Sequence, residues 1–259
     1  MSAQETPPSA SSSTPLSVIS GIFEAILGVA AALALALLLF PGKQYVSISN
    51  YLQILTTFAG AAVFCYLYVL HDGGPGLLWA AGAFAVWGLA NIAWYAAVFF
   101  GVGTMTFPGL VDMGFVAAIL LLSSAYNRLY PRKQVGGTIL LAILFLMLVV
   151  PLAILATKGI TDQALMILLY FFACGSLIIT ALNHSFAEQP AALAGTLLFA
   201  VSFMIYPIRE TFFAGNAVLA VLGPCVAAGF SLIVLGLIPK GAGTPPAVPE
   251  QPADTSREP

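Results

Sequence analysis

Apolar residues fill this chain in long blocks, each closed by a short group of Pro, Gly or charged residues. The blocks are long enough to cross about 30 Å of hydrocarbon as helices rising about 1.5 Å per residue. The pattern predicts helices over 18–40, 51–70, 77–100, 109–127, 136–157, 162–183, 191–213 and 216–238. Between them stand Pro41-Gly42, His71 to Gly76, Gly101 to Pro108, Tyr130 to Lys133, Lys158 to Thr161, His184 to Pro190 and Ala214-Gly215. The last break is so short that the seventh and eighth helices must form a tight hairpin. The expected fold is an all-α polytopic bundle over 18–240 with eight membrane crossings.

The flanks differ from this pattern. Residues 1–17 are rich in Ser, Thr and Pro, and residues 241–259 are rich in Pro. Neither can bury enough apolar surface to offset its ordering entropy, so both are expected as disordered tails. The first apolar run has no Lys or Arg before it and exceeds a signal-peptide core, so it is expected to be retained. An even count of helices also permits two halves of four joined at the basic fourth loop. Phe84-Ala85-Val86 and Phe199-Ala200-Val201 hold similar places in the two halves, though coincidence explains so short a match more simply.

Composition agrees with the pattern: 60% of the 259 residues are hydrophobic and 7% charged, against about a quarter charged in soluble domains. The partner such a surface requires is a lipid bilayer. The net charge of −2 offers no basic face, which excludes nucleic acid. Cys65, Cys174 and Cys225 stand singly in apolar runs, with no disulfide or zinc spacing, and are expected as buried thiols. Lys and Arg give the orientation, since cytoplasmic loops hold the excess. Arg128, Arg132, Lys133, Lys240 and Arg257 share a side with both termini; Lys43, Lys158 and Arg209 lie opposite. Five against three predicts a multi-pass protein of the cell membrane with both termini cytoplasmic.

Charge inside a span costs a few kcal/mol on insertion scales, so it marks positions with partners. Glu24, Asp112, Arg209 and Glu210 fall within the expected spans. Asp112 lies one turn into the fourth helix and Arg209-Glu210 about one turn before the end of the seventh, so the up-down order brings them to one face. Asn91, Trp94 and Tyr95 lie at comparable depth. Trp87, Asn91, Trp94 and Tyr95 follow i, i+4, i+7, i+8, as do Ser202, Tyr206, Arg209 and Glu210. Pro207 deprives the Phe203 carbonyl of its usual donor and invites a kink.

Two readings follow. In one, Arg209, with Asp112 or Glu210 as counter-ion, binds a small polar or anionic ligand in a cleft lined by Asn91, Trp94, Tyr95 and Tyr206. In the other, Arg209 pairs with Asp112 to fix helix packing and the aromatics form an interfacial belt. Glu24, near the cytoplasmic end of the first helix, reads as partly hydrated. His71, Asp72 and His184 lack the close spacing of a metal site, so no metal is expected. Gly-x-Ser-x-Gly and HExxH are missing, and no expected span holds a lysine for a Schiff base. Neither an enzyme nor a bound cofactor is expected.

The stretch from Trp87 through Asn91 and Trp94-Tyr95 to Pro108, Asp112 and Phe115 resembles the multi-helix membrane sensor region preceding diguanylate cyclase or histidine kinase output domains in microbial signalling proteins. Trp94, Pro108, Asp112 and Phe115 match that family's Trp, Pro, Asp and aromatic positions. Ala90-Asn91 stands where the family has Gly-Asp, Gly109 where it has Ser, and Val111 where it has Ala. The likeness covers Leu78 to Leu122. No output domain follows Lys240, so the resemblance implies a non-enzymatic sensor or scaffold acting through a separate signalling partner. The alternative is a small-solute or lipid transporter, suggested by Pro151, Pro207 and Pro224 within spans.

Overall fold

A computed structural model describes residues 15–40, 42–70, 74–101, 109–131, 137–184, 189–212 and 220–238. Side chains are described for all of these except 43, 44, 99, 137, 138, 158 and 209–212. The chain forms eight α-helices among the described residues: α1 (Pro15–Leu39), α2 (Lys43–Leu70), α3 (Gly76–Phe100), α4 (Leu110–Leu129), α5 (Gly137–Lys158), α6 (Asp162–Asn183), α7 (Pro190–Phe212) and α8 (Leu222–Leu237). Seven are long and apolar enough to cross a membrane, and α8 is an apolar helix of 16 residues. The expected polytopic helical bundle is therefore the fold. Of the expected tails, only Pro15 to Ser17 are described, and they open α1.

Helix ends follow local chemistry. Gly101, at φ 63°, takes the left-handed conformation that stops α3, and its N–H bonds back to the Ala96 carbonyl. Thr161 caps α6 by accepting the Ala164 N–H through Oγ1 at 3.1 Å. One boundary departs from expectation: α2 begins at Lys43 rather than near 51. Residues 43–50 read as polar connection by composition, yet Ser49 and Asn50 turn inward as one polar face and the segment is helical. The eighth helix, expected from 216, is described from Leu222; residues 213–219 of the expected hairpin lie outside the described residues.

Packing partners define the bundle. Neighbouring pairs α2/α3, α3/α4, α4/α6, α6/α7, α7/α8 and α8/α2 close a ring of six helices. Helix α1 lies in the groove between α2 and α8, and α5 leans on α6 from outside. In that ring α2, α3 and α4 form one arc and α6, α7 and α8 the other, meeting at α4/α6 and α8/α2. Apolar on every side, α5 leaves Leu141, Phe145 and Leu146 exposed, as a lipid-facing helix does. It grips α6 through Met147, whose thioether occupies the space that a Gly175 side chain would fill.

The α7/α8 contact is the closest. A Cβ on Gly195 would stand 2.6 Å from the Gly229 carbonyl oxygen, and one on Gly229 would stand 2.9 Å from that of Gly195. Gly236 meets Ala192 backbone in the same way. Lipid supplies no hydrophobic drive between helices, so such small-residue seams supply dispersion through backbone proximity.

Buried polar groups tie the helices together. Tyr126 of α4 and Thr196 of α7 share a hydrogen bond of 2.7 Å, and Thr196 also donates to the Ala192 carbonyl. His184, just past α6, contacts Asn127 Oδ1 at 2.9 Å and the Pro131 carbonyl at 3.1 Å. Arg128 stacks its guanidinium 4.6 Å from the Trp79 ring centroid. Of the three thiols, Cys174 is buried, Cys225 is half-buried and Cys65 is exposed on the outer side of α2. Cys65 therefore departs from the expected buried thiol: what surrounds it is lipid, so an apolar context in sequence does not place it inside the bundle. Glu24 likewise is exposed on the outer side of α1.

Candidate functional site

Within the ring, a cavity of about 610 Å³ is bounded by α2, α3, α4, α7 and α8. Its lining comes from the first half of α2 (Val46, Ser49, Asn50, Gln53) and the second half of α3 (Trp87, Asn91, Trp94, Val98). Phe115 near the start of α4, Ser202, Phe203 and Tyr206 late in α7, and Ala220 with Leu222, Gly223 and Val226 at the start of α8 complete it. Up-down alternation places all of these in the same half of the bundle, the half opposite the start of α1 and the end of α8. Exposure rises along α3 from 1% at Trp87 and 3% at Asn91 to 48% at Val98, so the cavity deepens toward the middle of the bundle.

The floor is aromatic. The Trp87 ring lies 4.6 Å from Phe115, 4.6 Å from Phe203, 4.8 Å from Phe199 and 5.2 Å from Phe230, centroid to centroid. Edge-to-face contacts of this kind add to the value of the buried area, and the cluster extends through Phe84 to Phe64 of α2. Below the cavity the interior is thus filled by rings from five helices.

One wall is polar and neutral. Asn91 Nδ2 donates to Gln53 Oε1 at 3.2 Å in a buried bond across α2 and α3. Three of the lining residues also carry a polar atom packed out of reach of the open space and without a hydrogen-bond partner: Ser49 Oγ, Asn50 Nδ2 and Trp87 Nε1. Such atoms are costly in an apolar interior unless something completes them. Gly223 lets α8 approach this wall, since a side chain there would run into Ser49 Oγ. No charged side chain lines the cavity among the described residues.

The residues singled out in sequence divide as follows. Asn91, Trp94 and Tyr206 line the cavity, with Trp87 and Ser202 from the same spacing pattern. Tyr95 turns aside to α2, where its hydroxyl lies 2.7 Å from that of Tyr51. Asp112 is buried, and both of its oxygens are engaged: Tyr170 of α6 donates to Oδ1 at 2.7 Å, and the Gly109 N–H donates to Oδ2 at 2.8 Å. The latter is half of a capping box at the N-terminus of α4, where a carboxyl group also meets the positive end of the helix dipole. Arg209 and Glu210 belong to α7, but their side chains lie outside the described residues. His71 and Asp72 lie outside them too. Among the described residues no cluster of His, Cys, Asp or Glu could hold a metal ion.

Missed in the sequence were Ser49, Asn50 and Gln53, and the pocket-forming start of α8. For α2 a signal existed: Ser49, Gln53 and Thr56 repeat the i, i+4, i+7 spacing of Trp87, Asn91 and Trp94. For α8 there was none, because Ala220, Leu222, Gly223 and Val226 look like any other apolar stretch.

No protein-family model, curated protein or solved structure matches this chain. The functional reading accordingly rests on the cavity and its chemistry.

Proposed function

We propose that this multi-pass membrane protein is a non-enzymatic, receptor-like binder of a small molecule, with the cavity between α2, α3, α4, α7 and α8 as its ligand site. The observation that carries the reading is about 610 Å³ of space lined by Ser49, Asn50, Gln53, Asn91 and Ser202 together with the rings of Trp87, Trp94, Phe115, Phe203 and Tyr206. A volume of this size falls in the range that encloses drug-sized ligands. The resemblance to membrane sensor regions runs over α3 and the start of α4, which supply Trp87, Asn91, Trp94 and Phe115 to the cavity. In this reading ligand occupancy alters helix packing, and a separate signalling protein reads the change. In this reading both termini are cytoplasmic, as the excess of Lys and Arg on their side favours, and the cavity belongs to the outer leaflet of the cell membrane.

Transport is the competing reading, and Pro207 beside the cavity favours it by weakening α7 there. The ring-filled floor favours a receptor, because a solute would have to displace Trp87, Phe199, Phe203 and Phe230 to pass. Native mass spectrometry of protein extracted in mild detergent tests the site: a small molecule should accompany the wild type and be lost in Val226→Trp, which fills the cavity. Equal loads in both would overturn the proposal. Flux of that molecule across reconstituted vesicles should be absent; measurable flux would favour the transporter.

A further inference from the structure

From the Asn91–Gln53 pair we infer the chemical class of the ligand: a flat apolar body whose polar group donates and accepts hydrogen bonds at once, as a carboxamide or a hydroxyl does. This rests on the binding role proposed above and narrows it. The bond between Asn91 and Gln53 joins two carboxamides through one end of each, at 3.2 Å. The other ends, Asn91 Oδ1 and Gln53 Nε2, have no partner among the described residues and keep accessible surface, unlike the packed atoms of Ser49, Asn50 and Trp87. Both residues are buried within the ring and line the cavity, so the open space these ends reach is the cavity. Gln53 Nε2 stands 3.3 Å from where a Gly223 side chain would begin, and Gly223 is part of the same lining.

An amide oxygen only accepts and an amide nitrogen only donates, so the ligand must offer a donor to one free end and an acceptor to the other. This requirement is the same whichever way the amides are turned. One bond between two carboxamides uses one N–H and one oxygen; reversing both groups moves the free oxygen to Gln53 and the free nitrogen to Asn91, and still leaves one of each. A carboxylate, ester or ketone has acceptors alone and would set an oxygen against the free carbonyl. A carboxamide meets both ends with neighbouring atoms, and a hydroxyl meets both with one. Among the rings on the lining, Phe203 and Tyr206 of α7 lie within 6° of parallel, which suits a flat body.

Binding of radiolabelled naphthamide to the full chain in lipid nanodiscs, with empty nanodiscs as background, tests the assignment; all competitors carry their group at the same ring position. Acetonaphthone keeps the rings and the carbonyl and replaces the amide nitrogen by a methyl group. Naphthamide should bind saturably, and acetonaphthone should compete about tenfold less well, the worth of one lost hydrogen bond beside a carbonyl left unpaired. Naphthol should likewise compete about tenfold better than methoxynaphthalene, whose oxygen has no proton to give. The tighter of naphthamide and naphthol names the group. Asn91→Leu and Gln53→Met keep side-chain bulk and remove the amide. Each should weaken naphthamide about tenfold and leave binding of methylnaphthalene unchanged, which also shows that the variant folds.

Equal competition by acetonaphthone overturns the assignment, as does absence of saturable naphthamide binding. Tighter binding of naphthoate than of naphthamide would replace it with an anion site. These failures are separable from failure of the binding role: a molecule that accompanies the wild type and is lost in Val226→Trp upholds that role whatever the naphthalene series shows. Naphthamide binding that survives Val226→Trp lies elsewhere on the protein and overturns the assignment, whereas an accompanying molecule that survives it overturns the binding role.

Discussion

Tyr170→Phe should weaken the bundle by removing a single atom. In the wild type the Tyr170 hydroxyl donates to Asp112 Oδ1 at 2.7 Å, between residues that are 1% and 8% exposed on α6 and α4. Hydrogen bonds across membrane helices average about 0.6 kcal/mol and reach about 1.7. Those to carboxyl groups lie at the upper end of the soluble range, which begins at about 1.5. A buried carboxyl oxygen left without its donor places the loss at about 1.5 kcal/mol.

Asp112→Ala removes that bond and also the cap on the Gly109 N–H, worth about 1 kcal/mol, so it should cost about 2.5. The double variant should cost no more than Asp112→Ala alone, leaving a coupling of about 1.5 kcal/mol. The assay is reversible unfolding in mixed micelles at rising dodecyl sulfate, followed by far-ultraviolet circular dichroism on wild type, both singles and the double. Additivity within about 0.5 kcal/mol would refute the bond as a holding contact between α4 and α6.

Gly195→Val should lower the melting temperature by about 5 °C, because overpacking costs about 1–3 kcal/mol and the new Cβ would stand 2.6 Å from the Gly229 oxygen. Gly21→Val, where a Cβ meets nothing within 4 Å, is the control; equal shifts in the two would remove the tight seam. Eight crossings bring both ends of the chain to one side, so impermeant labelling of terminal tags in intact cells should find the two equally protected. Opposite accessibility would mean an odd number of crossings and would disperse the cavity residues between leaflets.

The fold was largely legible because lipid imposes a simple rule: a span must be long, apolar and internally hydrogen-bonded. Six of the eight helix starts, those of α1 and of α3 to α7, fall within three residues of the expected ones, while the start expected for α8 at 216 lies outside the described residues. The exception, α2, shows what composition hides. Lys43 to Asn50 is polar on average, but average polarity does not say whether the polar atoms meet water or one another. Half of the site was legible by the same logic, through Asn91, Trp94 and Tyr206, because a polar residue at helical spacing in an apolar helix must face inward. The partner of Asp112 was not, since Tyr170 sits amid apolar residues as an ordinary aromatic and only the packing of α4 on α6 gives its hydroxyl a role.

The glycine seam between α7 and α8 has a mechanical consequence. Two backbones in direct contact at Gly195 and Gly229 leave no slack for sliding, so this side of the cavity behaves as a stator. Across from it, α2 and α3 meet through longer side chains, among them the Tyr51–Tyr95 and Asn91–Gln53 pairs, which can exchange partners at small cost. On the proposed binding role, a ligand would work against a fixed anvil, and any displacement would be delivered through α2 and α3.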